Sequence, residues 1–136
     1  MIKSKGGIVM KSTVSPIASK VSYVFIHVKD LEKSVNWYCK LLGITLESSR
    51  IESPVFNIPV TGTTGLTLDD HTFDPNFKFE PSKNVLLNFH TEDIDAAYNF
   101  MKKNNITIVK EIECIGEFAY FNFEDLDGNV LMICTS

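Results

Sequence analysis

The chain has 136 residues, a net charge of −4 and 44% apolar residues, a composition typical of a folded globular protein rather than a disordered one. Nucleic acid is a poor candidate partner for a net acidic chain, because affinity for nucleic acid comes mostly from neutralising phosphates. A membrane span is excluded as well, because no run of 18 uncharged apolar residues is present.

The positive charge is concentrated at the start of the chain. Residues 1–20 contain Lys3, Lys5, Lys11 and Lys20 and no acidic residue. The longest apolar run in this segment is three residues, 8–10, which is too short for the hydrophobic region of a secretory signal. We therefore predict that residues 1–18 form a flexible basic tail and that residues 19–136 form a single domain.

The three cysteines are Cys39, Cys114 and Cys134, an odd number without the paired spacing of a zinc site. This pattern argues against a disulfide framework and against a structural zinc knuckle. We predict three reduced thiols in or near the core, as is common for free cysteine, and a cytoplasmic location.

The sequence contains an internal repeat. Residues 24–38 align with residues 87–101 at an offset of 63, which places His27 on His90 and Asp30 on Asp93. A strand, a capped helix and further strands follow in the same order in both segments. Two copies of one structural unit are therefore predicted.

In the first copy, the β-branched and aromatic residues 21–28 predict a strand. Asp30 is the predicted helix N-cap and Gly43 the predicted C-terminal glycine. An apolar stripe at helical spacing lies between them: Leu31, Val35, Tyr38 and Leu42. Three strands are predicted to follow, over residues 44–47, 55–59 and 66–69.

In the second copy, residues 85–90 are the predicted first strand and Asp93 is the predicted N-cap. The stripe of the second helix is Ile94, Ala97, Tyr98 and Met101, and residues 104–105 end the helix. Strands are predicted over 106–112, 117–123 and 130–134, with a turn of strong turn composition at 125–129. The modules thus cover about 21–69 and 85–135, joined by a connector over 70–84.

The predicted fold class is α+β, with two tandem βαβββ modules that form a curved mixed sheet with a concave pocket and the helices outside. One module of about 55 residues has too little core to be stable alone, so the two modules must share a core. A concave sheet surface is where small ligands bind.

Two segments resemble the vicinal oxygen chelate superfamily, which includes glyoxalases, bleomycin-resistance proteins and extradiol dioxygenases. Residues 24–43 (VFIHVKDLEKSVNWYCKLLG) resemble the family's first strand and helix, and residues 121–133 (FNFEDLDGNVLMI) resemble its F-x-D-P-D-G-N ending, with Leu126 in the Pro position. The resemblance covers about residues 21–135. It implies the paired-module fold and, in most members, a divalent metal.

The resemblance also implies where the metal ligands of such a protein lie. These positions are seven residues before each helix-capping Asp and at the middle of an apolar triplet in each last strand, and they are occupied by Tyr23, Leu86, Thr67 and Met132. None of these side chains is a customary ligand of Fe, Mn, Zn or Ni. We therefore predict that the family's metal site is absent and that no cofactor is bound.

Side chains alternate between the two faces of a strand, and this alternation places a largely apolar and aromatic group on the concave face of the predicted sheet, which we call the trough. The predicted ligand-binding residues are Tyr23, Phe25, His27, Phe56, Thr67, Leu86, Asn88, His90, Phe118, Tyr120 and Met132. A relocated metal site that uses His27 and His90, completed by Asp69 or Glu117, is the alternative. His71 in the connector is predicted to be solvated, and no catalytic residue is assigned.

Three functions follow from these observations. The first is a metal-free small-molecule-binding protein that holds an aromatic or hydrophobic ligand in the trough. The alternative is a metal-dependent lyase, isomerase or dioxygenase, or a thiol transferase, of the same superfamily. The third is an interaction module whose trough is a dimer core, and in each case the resemblance implies a homodimer.

Overall fold

The computed structural model describes residues 2–5, 8–11, 14–47 and 50–135, the first two ranges by their backbone alone. Its helices are α1 (Leu31–Leu42) and α2 (Ile94–Lys103). Its strands are β1 (Ile2–Lys5), β2 (Ile8–Lys11), β3 (Tyr23–His27), β4 (Val55–Ile58), β5 (Gly65–Asp69), β6 (Asn88–His90), β7 (Ile108–Ile115), β8 (Phe118–Glu124) and β9 (Val130–Cys134).

The two halves of the chain share one arrangement of three strands and a helix, which confirms the predicted repeat and the α+β class. The first half contains a sheet of order β3-β5-β4, and the second half a sheet of order β6-β9-β8-β7. In each half the first strand pairs in parallel with the last strand, and the last strand pairs antiparallel with the one before it. The strands hydrogen-bond within two small sheets rather than in one continuous ladder.

Two predicted strands differ from the structure. Residues 44–47 are not a strand, so the first sheet lacks the outer strand that β7 supplies in the second sheet. The strand predicted over 85–90 is shorter, β6, although backbone bonds from Leu86 N–H to the Val130 carbonyl and from Thr91 N–H to the Cys134 carbonyl continue the pairing on both sides. Within the predicted tail, β1 and β2 pair as an antiparallel ribbon.

Both helices begin and end where the sequence predicts. The Asp30 carboxylate accepts a hydrogen bond from Lys33 N–H, and the Asp93 carboxylate accepts one from Ala96 N–H. Gly43 closes α1 in the left-handed conformation, with φ 68°, where a side chain would be strained. These local signals set the bounds of the helices, and the apolar stripe between them sets the face that packs.

A single core joins the helices to one face of each sheet. From the first half, Ile26, Leu66 and Leu68 pack with Val35 and Tyr38 of α1. From the second half, Phe121, Phe123, Leu131 and Ile133 pack with Met101 of α2 in the same cluster. Apolar area from both halves is thus buried together, as expected for units too small to be stable alone.

A buried polar network ties the second half to the first. The Asp125 carboxylate accepts hydrogen bonds from the Tyr38 hydroxyl at 2.6 Å and from the Asn129 amide at 3.0 Å. The same Asn129 amide donates to the His27 carbonyl at 3.0 Å, and Lys29 N–H donates to Asp127 at 2.8 Å. The turn over residues 125–129 therefore holds the end of β3 and the middle of α1.

This network predicts a loss of stability at alkaline pH. Burial, followed by the charge of Asp125 and the hydrogen bond to it, raises the pKa of Tyr38 well above its usual value. Above pH about 10 the unfolded chain loses this proton while the folded protein keeps it, so stability should fall by about 1.4 kcal/mol per pH unit until the folded pKa is reached. The contribution is fully present below pH about 10.

Urea unfolding of the wild type and of Tyr38→Phe between pH 9 and pH 11 measures this contribution. The wild type should lose stability more steeply than the variant, which lacks the titrating hydroxyl. Parallel stability curves for the two proteins would contradict the assignment.

The structure tests the prediction made for the three cysteines. Cys39 and Cys134 are buried as predicted, whereas Cys114 on β7 is exposed, so the prediction was wrong for this third thiol. Burial raises the pKa of the Cys39 thiol.

In the described parts of the chain, neither helix has the length and apolar character needed to cross a bilayer.

Candidate functional site

The pairing register defines an open face on each sheet, on the side opposite its helix. In the first sheet Phe25 pairs with Thr67 and His27 pairs with Asp69, so these four side chains share one face. The intervening residues, such as Ile26 and Leu68, are fully buried against the core. The period-two prediction for β3 is therefore confirmed, and we call this side the open face.

Two aromatic rings of the open face of the first sheet are half exposed to solvent. Tyr23 is 51% exposed and Phe25 is 55% exposed. A side chain at Gly65, the partner of Tyr23, would overlap the Tyr23 ring, so this glycine leaves room for the ring across the sheet. Next to Phe25, the buried Thr67 hydroxyl donates to the Asn57 side-chain oxygen at 2.7 Å.

In the second sheet the open face carries the remaining predicted residues. Asn88 pairs with Met132, and His90 and Tyr120 both pair with Cys134. The rings of Phe118 and Tyr120 lie 5.7 Å apart between centroids. Leu86 precedes β6 and is partly buried against the core.

Phe56 does not lie on the open face. It pairs with Leu68 and packs against the core on the helix side of the sheet. The prediction placed Phe56 in the trough because the register of this short strand cannot be counted from a helix cap. A shift of one residue in a strand moves every side chain to the other face.

A cavity lies where the two halves meet. It has a volume of about 690 Å³. Its walls come from β3 and β5, the end of α1, the loop over residues 59–64 and strand β6: Val24, Leu42, Ile44, Pro59, Val60, Thr61, Thr64, Gly65, Leu66, Leu87, Asn88, Phe89 and His90. We call this cavity the cleft, and its volume lies within the range of small-molecule sites.

The cleft contains two of the predicted binding residues, Asn88 and His90. Tyr23 lies in a neighbouring hollow of about 330 Å³ that shares Val60, Thr64, Gly65 and Leu66 with the cleft. The other predicted residues, except Phe56, lie on or beside the open faces. Leu42, Ile44 and the loop over 59–64 were missed, because no local sequence signal shows that a helix end and a loop meet β6.

A second group of polar side chains lies at the end of the first sheet. Ligand-type atoms of His27, Asp69 and His71 all lie within 4.8 Å of one another. His90 and Glu117 do not belong to this group, and His90 instead lies 3.0 Å from the Glu92 carboxylate. The prediction of a solvated His71 was wrong, because its side chain is only 23% exposed and faces Asp69.

Charged side chains on the second sheet pair with one another. Lys110 Nζ lies 2.7 Å from Glu113 Oε2 and 5.8 Å from the centroid of the Tyr120 ring. The hydrogen bond to Glu113 raises the pKa of Lys110, and the same bond lowers the pKa of Glu113. Both groups are exposed, so this pair contributes little to stability.

The four positions that the resemblance implies for a metal do not fit one. Leu86 has no ligand atom, and Met132 offers a soft thioether rather than the nitrogen and oxygen preferred by Fe, Mn, Zn or Ni. The Thr67 hydroxyl is buried and already donates to Asn57. Tyr23 offers a phenol oxygen, which is not among the imidazole and carboxylate ligands that these ions usually take.

Comparison with known proteins agrees with this architecture. The model of the Glyoxalase/Bleomycin resistance protein/Dioxygenase superfamily matches residues 20–133. Because the match spans most of the sequence, the chain belongs to this superfamily. No curated protein matches the sequence significantly.

Solved structures show the same fold. A superfamily member from Sphaerobacter thermophilus DSM 20745 superimposes with a TM-score of 0.68, at 21% identity over 88% of this chain and 98% of the other. A hypothetical protein from S. aureus has a TM-score of 0.60, at 26% identity over 90% of this chain and all of the other. Oxidase ChaP-H1 has a TM-score of 0.65, at 16% identity over 88% of this chain and 97% of the other.

Proposed function

We propose that the protein binds a small, largely apolar molecule in the cleft between its two halves. The observation that supports this function is the cleft itself, a cavity of about 690 Å³ to which both halves contribute. Binding there does not use the family's usual metal positions, which hold Tyr23, Thr67, Leu86 and Met132.

The chemistry of the walls supports a hydrophobic or aromatic ligand. Most of the side chains that line the cleft are apolar, among them Val24, Leu66 and Phe89. Burial of apolar ligand surface against such walls is favourable by about 25 cal/mol per Å² of area removed from water. The ring of Phe89 also offers a face for offset stacking on a planar ligand.

Polar groups in the cleft are few, and they would orient the ligand. Asn88 and His90 lie on one strand, β6, and Thr61 and Thr64 lie on the loop opposite. An apolar cavity with a small number of polar groups is the usual composition of a specific small-molecule site. The ligand is therefore expected to be mostly apolar with one or two hydrogen-bonding atoms.

A tryptophan that fills the cleft tests this function. Thr61 is exposed and lines the cleft, so Thr61→Trp should fill part of the cavity without disturbing the core. With 1-anilinonaphthalene-8-sulfonate as the probe, we expect the variant to bind at least about tenfold more weakly, a difference of about 1.4 kcal/mol. Fluorescence titration measures the two dissociation constants.

Thr63→Trp is the matched control, because Thr63 lies two residues further along the same loop and does not line the cleft. This variant should bind the probe like the wild type. Equal affinity in all three proteins, or no saturable binding to the wild type, would contradict the proposal. Native mass spectrometry of the purified protein would also show whether a small molecule is retained from the cell.

A metal-dependent lyase, isomerase or dioxygenase is the second candidate. It is favoured by the cluster of His27, Asp69 and His71, whose side chains are of metal-binding type. The pairing of His27 with His90 that we predicted for such an enzyme has no support from this cluster. Stoichiometric metal in the purified protein would favour this candidate.

The homodimer stays a prediction. The half-exposed rings of Tyr23 and Phe25 offer apolar surface that a second copy would cover in such a dimer. Sedimentation at micromolar concentration distinguishes the dimer from a monomer.

A further inference from the structure

We propose that His27, Asp69 and His71 form a binding site for a divalent transition-metal ion at the end of the first sheet. The site lies away from the positions that the family resemblance implies. His27 is four residues beyond Tyr23 on β3, and Asp69 is two residues beyond Thr67 on β5.

Parallel pairing of β3 with β5 brings the first two side chains together. His27 pairs directly with Asp69 in the register, and His27 Nε2 lies 4.0 Å from Asp69 Oδ2. His71 follows two residues later with a φ of 56°, a left-handed conformation that is uncommon for a residue with a side chain. This turn brings His71 Nδ1 to 3.5 Å from the same Asp69 oxygen.

These separations suit a metal ion at the centre of the three atoms. Ligand atoms about 2.1 Å from a metal lie about 3.0 Å apart at a right angle and about 3.4 Å apart in a tetrahedron. The three atoms lie within 4.8 Å of one another, so ring rotations that bring the most distant atoms up to about 1.4 Å closer would complete a tetrahedral arrangement. Two imidazoles and one carboxylate form a ligand set suited to Zn²⁺, Fe²⁺, Co²⁺ or Ni²⁺.

The surroundings already orient the ligands. His71 N–H donates to Asp69 Oδ1 at 2.7 Å, which leaves Asp69 Oδ2 directed at the two imidazoles. Asp74 Oδ2 lies 3.8 Å from His71 Nε2, the nitrogen that would not bind the metal. A carboxylate behind the second nitrogen of a ligating histidine is a common feature of metal sites, because it fixes the ring and its tautomer.

Aromatic rings enclose the two histidines on one side. The Phe77 ring lies 4.9 Å from His27 and 4.2 Å from His71, and the Phe73 ring lies 4.3 Å from His71, all between centroids. Asp69 is 5% exposed, whereas the His27 side chain is 43% exposed. A buried carboxylate beside the accessible His27 imidazole leaves an entry path and open coordination positions for the ion.

Zinc titration of the tag-free protein tests the proposal, in a Cys114→Ser background that removes the exposed thiol. We expect one Zn²⁺ per chain by calorimetry, and an affinity at least about 100-fold lower in His71→Ala, which lacks a direct ligand. Asp74→Asn removes only the outer carboxylate and should weaken binding by about tenfold. Bound Co²⁺ should give a visible spectrum without a thiolate charge-transfer band.

His90→Ala is the matched control, since His90 also lies beside a carboxylate but outside the cluster. It should bind Zn²⁺ like the parent protein, although it lies in the cleft and should weaken ligand binding there. His71→Ala should lose metal binding and keep binding in the cleft, whereas His90→Ala should do the opposite. The two variants therefore separate this proposal from the proposed function. If His71→Ala does not fold, Zn²⁺ titrations of the parent protein and of the more conservative His71→Gln still test the site.

Three results would overturn the site. They are no saturable Zn²⁺ uptake by the folded parent protein, undiminished affinity in folded His71 variants, and a cobalt spectrum dominated by thiolate. The first would mean that the two histidines serve only as ion-pair partners of Asp69.

Discussion

Replacing Asp125 with alanine is expected to lower the free energy of unfolding by about 3–5 kcal/mol, because several buried donors lose their acceptor at once. Asp125 is 7% exposed and its two oxygens accept from the Tyr38 hydroxyl, the Asn129 amide, and the backbone N–H groups of Asp127 and Asn129. An unsatisfied buried donor typically costs about 1–3 kcal/mol. Urea unfolding monitored by circular dichroism measures the change.

Asp127→Ala provides a matched control in the same turn. Asp127 is less buried and accepts one hydrogen bond in this network, from Lys29 N–H, so we expect a loss of only about 1 kcal/mol. A double-mutant cycle of Asp125→Ala with Tyr38→Phe isolates the 2.6 Å bond between them, with an expected coupling of about 1.5–3 kcal/mol. A smaller loss of stability in Asp125→Ala than in Asp127→Ala would contradict the role of this network.

Phe121→Ala is expected to cost about 3–5 kcal/mol, since it opens a cavity in the core that both halves share. Phe121 is fully buried, and its ring contacts Tyr98 edge to face at 5.6 Å between centroids and Phe123 at 6.4 Å. The surrounding helices and strands restrict how far the site can collapse. Thermal or urea unfolding measures the loss.

Phe118→Ala is the comparison on the same strand. Phe118 lies three residues earlier on β8, points to the opposite side and is only partly buried. The loss for this variant should be at most about 1.5 kcal/mol, because less apolar area is uncovered and water can enter the space. Similar losses for both variants would show that the register of β8, and with it the composition of the open face, has been misassigned.

The helices and the repeat could be read from the sequence because their signals are local. A capping carboxylate, an apolar stripe and a closing glycine occupy neighbouring positions, and Asp30 and Gly43 act as predicted. The register of β3 followed from counting residues back from the helix cap Asp30, which is why Tyr23, Phe25 and His27 were placed on one face. The period-two prediction worked equally well for Asn88 and His90.

Features that depend on tertiary contacts were missed. Residues 44–47 have strand propensity but join no strand ladder in the part of the chain that the structure describes. Phe56 was assigned to the wrong face because nothing near it fixes its register. His71 returns to β5 through a left-handed backbone conformation, and no sequence pattern marks that turn in a non-glycine residue.

The turn at residues 125–129 also bears on how the protein is made on the ribosome. Tyr38 and Asp125 are 87 residues apart in the chain, so the first half is translated long before its hydrogen-bond acceptor exists. Until residues 125–129 leave the exit tunnel, the nascent first half has neither its full core nor a partner for the Tyr38 hydroxyl. We therefore expect the second half, rather than the first, to commit the domain to its native state.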